Sequence, residues 1–187
     1  MNNTTTYSGI YRDENGMSHT VTITLKESVE ALNNDLRAVL SCYNRRTVQF
    51  KLDKPAPGEA MRLHVTVKAP SHYLTGPSDT TPKACSQMEF WVIAYPGYPL
   101  TKCRAFYAKD HYLASPNVFI SGNACIDDWI VFTSNLSSVV EKLIHDIVHD
   151  PSVSRYDSMA NPTQKTWHQR NVAAGNFPTV KLSTLYV

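Results

Sequence analysis

The sequence has no unbroken apolar run of about 18 residues or more, so it is not expected to cross a bilayer as a helix. Its first residues, Met1-Asn2-Asn3-Thr4-Thr5-Thr6, have neither the basic start nor the apolar stretch of a secretory leader, and a cytoplasmic location is expected. The four cysteines, Cys42, Cys85, Cys103 and Cys125, include no C-x-x-C pair, which argues against a zinc ribbon or a dithiol redox motif. In a reducing cytosol they are expected to remain thiols. An excess of one charge is missing too: 18 Lys and Arg against 16 Asp and Glu leave a net +2, and no basic run goes beyond the pair Arg45-Arg46. Nucleic acid is therefore not an expected partner. Internal repeats and low-complexity tracts are also absent. What remains is a chain of 187 residues, 42% hydrophobic, expected to fold as a single domain over residues 1–187 around its own core.

Residues 1–18 are polar, with Asn15-Gly16 as a turn signal, and read as a tail or a small hairpin. Val21, Ile23 and Leu25 then alternate with polar neighbours as in a strand. Thr24-x-x-Glu27 is a capping box, and Val29, Leu32, Leu36, Val39, Leu40 and Tyr43 recur at helical spacing, so a helix is expected over residues 26–43. Val48, Phe50 and Leu52 alternate, Pro55-Ala56-Pro57-Gly58 turns the chain, and Leu63, Val65 and Val67 alternate again, as in an antiparallel hairpin. Residues 71–83, with Gly76, Pro77 and Pro82, read as a long loop. Residues 88–94 and 102–108 read as a third and a fourth strand. Ser134 or Asn135 can cap a second helix, in which Leu136, Val139, Val140, Leu143, Ile144, Ile147 and Val148 keep the i, i+3, i+4, i+7 rule until Pro151. Asn161-Pro162 opens a short helix expected over 162–174 and closed by Gly175.

Chemistry concentrates in residues 114–129. A thiolate is nucleophilic near neutral pH and a thioester is a good acyl carrier, which makes Cys125 the covalent candidate. Pro116 fixes its own φ and drives Ser115 towards an extended conformation, so Asn117 leaves a defined corner. The Ser121-Gly122 turn is expected to fold the chain back and bring Asn117 to Cys125. There the asparagine amide can donate to an oxyanion forming on a carbonyl held by the sulfur.

Ser115-Pro116-Asn117-Val118-Phe119-x-x-Gly122-x-x-Cys125-Ile126-Asp127 resembles the active-site segment of the ubiquitin-conjugating enzymes. That signature reads His-Pro-Asn, then a glycine, then the thioester cysteine eight residues after the asparagine, the spacing found here. Tyr95-Pro96-Gly97-Tyr98-Pro99-Leu100 resembles the family's proline-rich loop, Tyr-Pro-x-x-Pro-Pro, and the likeness extends over about residues 24–171. Ser115 departs from it, standing where the family has a loop-bracing histidine. The strand before the first helix, the short segment from Cys125 to Leu136 and the altered C-terminal end also depart. These departures look most like the divergent bacterial relatives, which accompany activating enzymes and ubiquitin-like modifiers and are often linked to antiviral defence.

The resemblance implies an α/β (α+β) domain: an N-terminal helix, a four-stranded antiparallel meander, a cysteine loop, a central helix on the sheet and a short C-terminal helix. It implies a transferase that receives a ubiquitin-like modifier from an activating enzyme as a thioester on Cys125 and passes it to an amine of a target protein. No metal or organic cofactor is implied, and ATP would serve the activating enzyme. Asn117 is the expected oxyanion donor, Asp127 lies near the cysteine, and Asp128 and Asp157 are candidates to orient an incoming lysine. Ser115, Pro116 and Gly122 would shape the loop. The first helix would help dock the activating enzyme, and Tyr95, Pro96, Tyr98 and Pro99 would meet a ligase, where one is used.

Two other readings stand beside this one. A non-catalytic relative would keep the fold to bind partners, though such proteins typically lose the cysteine, and a cysteine hydrolase would need a histidine against Cys125. His145-Asp146-x-x-His149 imitates a zinc helix, but the apolar stripe sets both histidines with Glu141 and Lys142 on the opposite face, and a catalytic zinc needs a third ligand.

Overall fold

The computed structural model describes residues 5–12, 15–53, 55–56, 58–76, 79, 81–115, 117–119, 121–125, 135–149, 165–176 and 180–187. The polar opening of the chain forms a hairpin rather than a tail. β1 (Thr6–Arg12) and β2 (Ser18–Thr24) pair antiparallel from Thr6 opposite Thr24 to Arg12 opposite Ser18. β2 runs directly into α1 (Leu25–Cys42), where Thr24 closes the capping box. Its hydroxyl accepts from the Glu27 N–H at 3.2 Å, and the Glu27 carboxylate accepts from the Thr24 N–H at 2.7 Å. Two of the helix's orphan donors are thereby satisfied.

Alternation places the main sheet. β3 (Val48–Asp53), β4 (Met61–Val67), β7 (Met88–Ala94) and β8 (Arg104–Tyr107) lie antiparallel in that order. Met61, Leu63, Val65, Val67, Met88, Phe90, Val92 and Ala94 all point to one side, where they meet Leu36 and Val39 of α1 in one buried cluster. The other side of β7 looks too apolar for a wet face, and stacking accounts for it in part: the Trp91 ring lies 4.6 Å from that of His64. His64 also stands 3.3 Å from Glu89, whose second oxygen pairs with Lys109 at 2.5 Å.

The expected loop over residues 71–83 is corrected. β5 (Ser71–Leu74) and β6 (Lys83–Cys85) lie within that stretch and its margin, and β9 (Tyr112–Leu113) completes a second sheet in the order β6-β5-β9. In β5 the two end residues are buried and the two middle ones half-buried, so it lacks the alternation by which a strand is read from sequence. The Asp79 carboxylate accepts from Thr75 and Thr81 and ties down the connection between β5 and β6.

The second helix is also changed. α2 (Leu136–Lys142) starts at the Asn135 cap, as expected, but residues Leu143–His149 wind as a π-helix. All seven apolar positions of the stripe are buried. Neighbouring apolar pairs repeated every four residues keep to one face in either winding, so the periodicity could not distinguish them. α3 (Lys165–Ala173) forms within the span expected of the short helix, with Gly175 beyond its end at φ 69, while residues 162–164 lie outside the described set. The tail adds α4 (Leu182–Leu185), whose Leu185 is fully buried, and Tyr186 bridges to Tyr43 at the end of α1. Among the described residues no helix is long and apolar enough to cross a membrane.

Candidate active site

The chain reaches the site from β9, where the Ala114 N–H donates to the His72 carbonyl of β5 at 2.9 Å. Ser115 is buried, and its hydroxyl accepts from the Asn117 N–H at 3.3 Å, so the serine braces the corner from inside. A tight hairpin follows. Phe119 N–H donates to Asn123 at 2.8 Å, Gly122 N–H donates back to Phe119 at 2.8 Å, and Val118 bridges to Ala124. Gly122 has φ +85, a conformation that costs an L side chain about 1–2 kcal/mol and that glycine adopts freely.

The returning arm is then pinned to the sheet. Tyr107 N–H donates to the Gly122 carbonyl at 2.7 Å, Ala124 N–H donates to the Ala105 carbonyl at 2.9 Å, and Phe106 bridges to Asn123. The hairpin is thus a continuation of the main sheet beyond β8. At its open end the Cys125 N–H donates to the Asn117 carbonyl at 2.7 Å. Asn117 is half-buried and Cys125 exposed.

Ser115, Asn117, Gly122 and Cys125 are therefore gathered in one hairpin. Pro116, Asp127, Asp128 and Asp157 lie outside the described residues. The other cysteines differ in setting. Burial pushes the Cys103 thiol up to about 12 and also raises that of Cys85, while Cys42 is exposed at the end of α1.

The proline-rich loop divides into two parts. Tyr95 and Pro96 are half-buried and line, with Leu25, Val29, Leu32 and Leu52, an apolar groove of about 400 Å³ along the start of α1. Pro99 is exposed, but Tyr98 is 1% exposed, and the expectation that its side chain meets a partner is corrected. Its hydroxyl donates to the Asp35 carboxylate of α1 and accepts from the Leu136 N–H of α2 at 2.8 Å. Burial, above all, holds that phenol well above its ordinary range.

A cavity of about 220 Å³ lies beside the turn, with Phe119, Ser121 and Gly122 on one side and Lys109, Asp110 and His111 on the other. These last three were missed from sequence; the signal was a run of titratable residues one position beyond β8. His111 shares a 2.9 Å hydrogen bond with the Tyr107 hydroxyl, and burial, then the Lys109 charge, lowers its pKa. Among the described residues no group of three or more His, Cys, Asp and Glu side chains is placed to hold a metal ion.

The class that these elements define is a mixed α/β protein of antiparallel sheets, carrying an exposed thiol on a sheet-anchored hairpin. The chain matches no protein-family model and no curated protein.

Proposed function

We propose that this chain is a ubiquitin-conjugating-type acyltransferase, built on that family's fold, which carries a ubiquitin-like modifier as a thioester on Cys125. The observation that carries the reading is the hairpin itself: its backbone bond sets Asn117 opposite an exposed thiol, with the strand between them fastened to β8. The order α1, the four-stranded antiparallel sheet β3-β4-β7-β8, the cysteine hairpin and then α2 supports it too, with β1–β2 and the small β6-β5-β9 sheet as additions. In the first step the Cys125 thiolate attacks the thioester carbonyl on the activating enzyme. A new C–S bond forms, the old one breaks, and the enzyme's thiolate leaves. In the second step a lysine amine attacks the same carbonyl, the C–N bond forms, the Cys125 thiolate departs, and the amine's extra proton passes to a base. Asp127, Asp128 and Asp157 remain the candidates to orient or deprotonate that amine.

Asn117 would donate to the oxyanion in both steps, where charge develops in the transition state. The groove along α1 would receive the activating enzyme, which alone consumes ATP, so the chain itself needs no metal or organic cofactor. The setting would be the cytoplasm, in a bacterial conjugation pathway of the antiviral kind. A charging assay with activating enzyme, modifier and ATP tests the reading on non-reducing and reducing gels. The expected result is an adduct that a thiol reagent removes and that Cys125→Ala abolishes. A loaded activating enzyme that yields no adduct would leave a binding scaffold as the better reading.

A further inference from the structure

The β1–β2 hairpin precedes everything the proposed reaction needs, yet it is fitted closely to one place, the loop over residues 95–100. A side-chain carbon added at Gly97 would stand 3.0 Å from the Tyr7 ring, and one added at Gly9 would stand 3.1 Å from the Leu100 Cβ. Each element thus has a glycine where the other presents a bulky side chain. Gly97 also has φ +87, so only glycine adopts this backbone without strain beneath the ring. The root of the hairpin is tied as well: Leu25 N–H donates to the Thr5 carbonyl at 2.9 Å, and the preceding residue, Thr24, is the helix cap. On the inner side of the same loop the buried Tyr98 hydroxyl spans Asp35 and the first N–H of α2. Contacts therefore run without a gap from Tyr7 to Gly97, through Tyr98, to Leu136.

We infer that the N-terminal hairpin is a resident partner of the proline-rich loop: it occupies the loop's outer surface at Gly97 and Leu100 and, by holding the loop, keeps the Tyr98 bridge to α1 and α2 closed. A second protein that read this loop would find that surface taken by the chain itself. The functional half of the inference rests on the conjugating reading, in which α2 is the helix that follows the cysteine hairpin in the chain. Transfer would then need no loop-docking ligase, because the hairpin supplies the brace.

The test compares Tyr7→Ala, Gly9→Val and the conservative Tyr7→Phe in the full chain by amide hydrogen exchange. Tyr7→Ala empties the space over Gly97, Gly9→Val wedges the hairpin off Leu100, and Tyr7→Phe keeps the contacting ring. The expected result is exchange about tenfold faster at Leu100 and Leu136 in the first two variants, with the amides paired between β4 and β7 unchanged and Tyr7→Phe like the unaltered chain. Unchanged exchange at Leu136 would overturn the inference, and so would equal acceleration in β4 and β7, which would mean general loosening. Discharge of the Cys125 thioester onto free lysine, without a ligase, should slow several-fold in the same two variants. Unaltered discharge beside faster exchange would overturn the functional half. If the unaltered chain takes no modifier at all, the conjugating reading fails while the exchange result still decides the brace.

Discussion

Two hairpins of the molecule, β1–β2 and the one that carries Cys125, are fixed by opposite means. The β1–β2 hairpin pairs seven residues with seven, but Thr6, Ser8, Ile10, Ser18 and Thr20 are exposed, and a two-stranded ribbon is at best marginal by itself. Its place is set by side chains, Tyr7 over Gly97 and Leu100 over Gly9. The Cys125 hairpin has only scattered bridges, yet its returning arm bonds to β8 on one side and its own outgoing arm on the other. A long ladder with little beneath it depends on what it leans against. A short one can be held mainly by backbone bonds, and the Cys125 side chain at its end stays exposed.

The largest test of that contrast is Asn117→Ala. The backbone carbonyl that holds Cys125 and the N–H that Ser115 accepts both survive this substitution, and thioester discharge should fall about 10²- to 10³-fold, as for loss of one oxyanion donor, together with any role the amide has in holding the loop. Single-turnover discharge beside the exchange pattern of residues 117–125 measures both.

Acid should separate the two hairpins next. Burial depresses the His168 pKa to about 4 from an ordinary 6.5, so as pH falls through that window the unfolded chain takes up a proton that the folded chain does not, and stability is lost. Nothing is lost above pH 6.5, and the full loss, about 3 kcal/mol, is reached near pH 4. The neighbouring Trp167 ring rests 5.2 Å from that of His72, whose carbonyl holds Ala114, so acid should loosen the root of the Cys125 hairpin before the N-terminal one. Denaturant melts between pH 7 and 4 should show a smaller loss of stability in His168→Phe than in the unaltered chain, the remaining slope coming from other groups such as His72 and His111, whose pKa values burial also lowers.

Gly122→Ala comes third. It forces an L side chain into the left-handed region for about 1–2 kcal/mol, strikes the Cys125 hairpin alone, and should lower the urea midpoint and charging together. Thr24→Ala is the smallest, about 1 kcal/mol for a lost cap, and should fray the junction of β2 with α1, slowing charging slightly through the groove there while the exchange pattern of residues 117–125 stays unchanged.

Much of this frame was legible because local rules and tertiary packing agree. The Thr24 and Glu27 spacing marked the start of α1, and alternation marked β3, β4 and β7, since β4 and β7 bury one whole face and β3 the start of its own. Ser121-Gly122 marked the turn that returns Cys125 to Asn117. The misses share another cause. β5 and β9 exist through pairing with distant residues, and four- and two-residue strands carry too little pattern to read. Tyr98 sat between two prolines in what looked like a surface loop, and its inward turn depends on Asp35 and Leu136, both far away in sequence. The pinning of residues 122–124 to β8 is likewise a backbone event that no side chain announces.

The unequal settings of the four cysteines bear on how the protein can be handled. An alkylating probe or a mild peroxide meets Cys42 and Cys125 at the surface, whereas Cys103 is shielded in the interior and Cys85 is half-shielded. A chain carrying Cys42→Ser would present one fully exposed thiol, at the mouth of the hairpin, ready to take a fluorophore, a spin label or a stable mimic of an acyl group without disturbing the core.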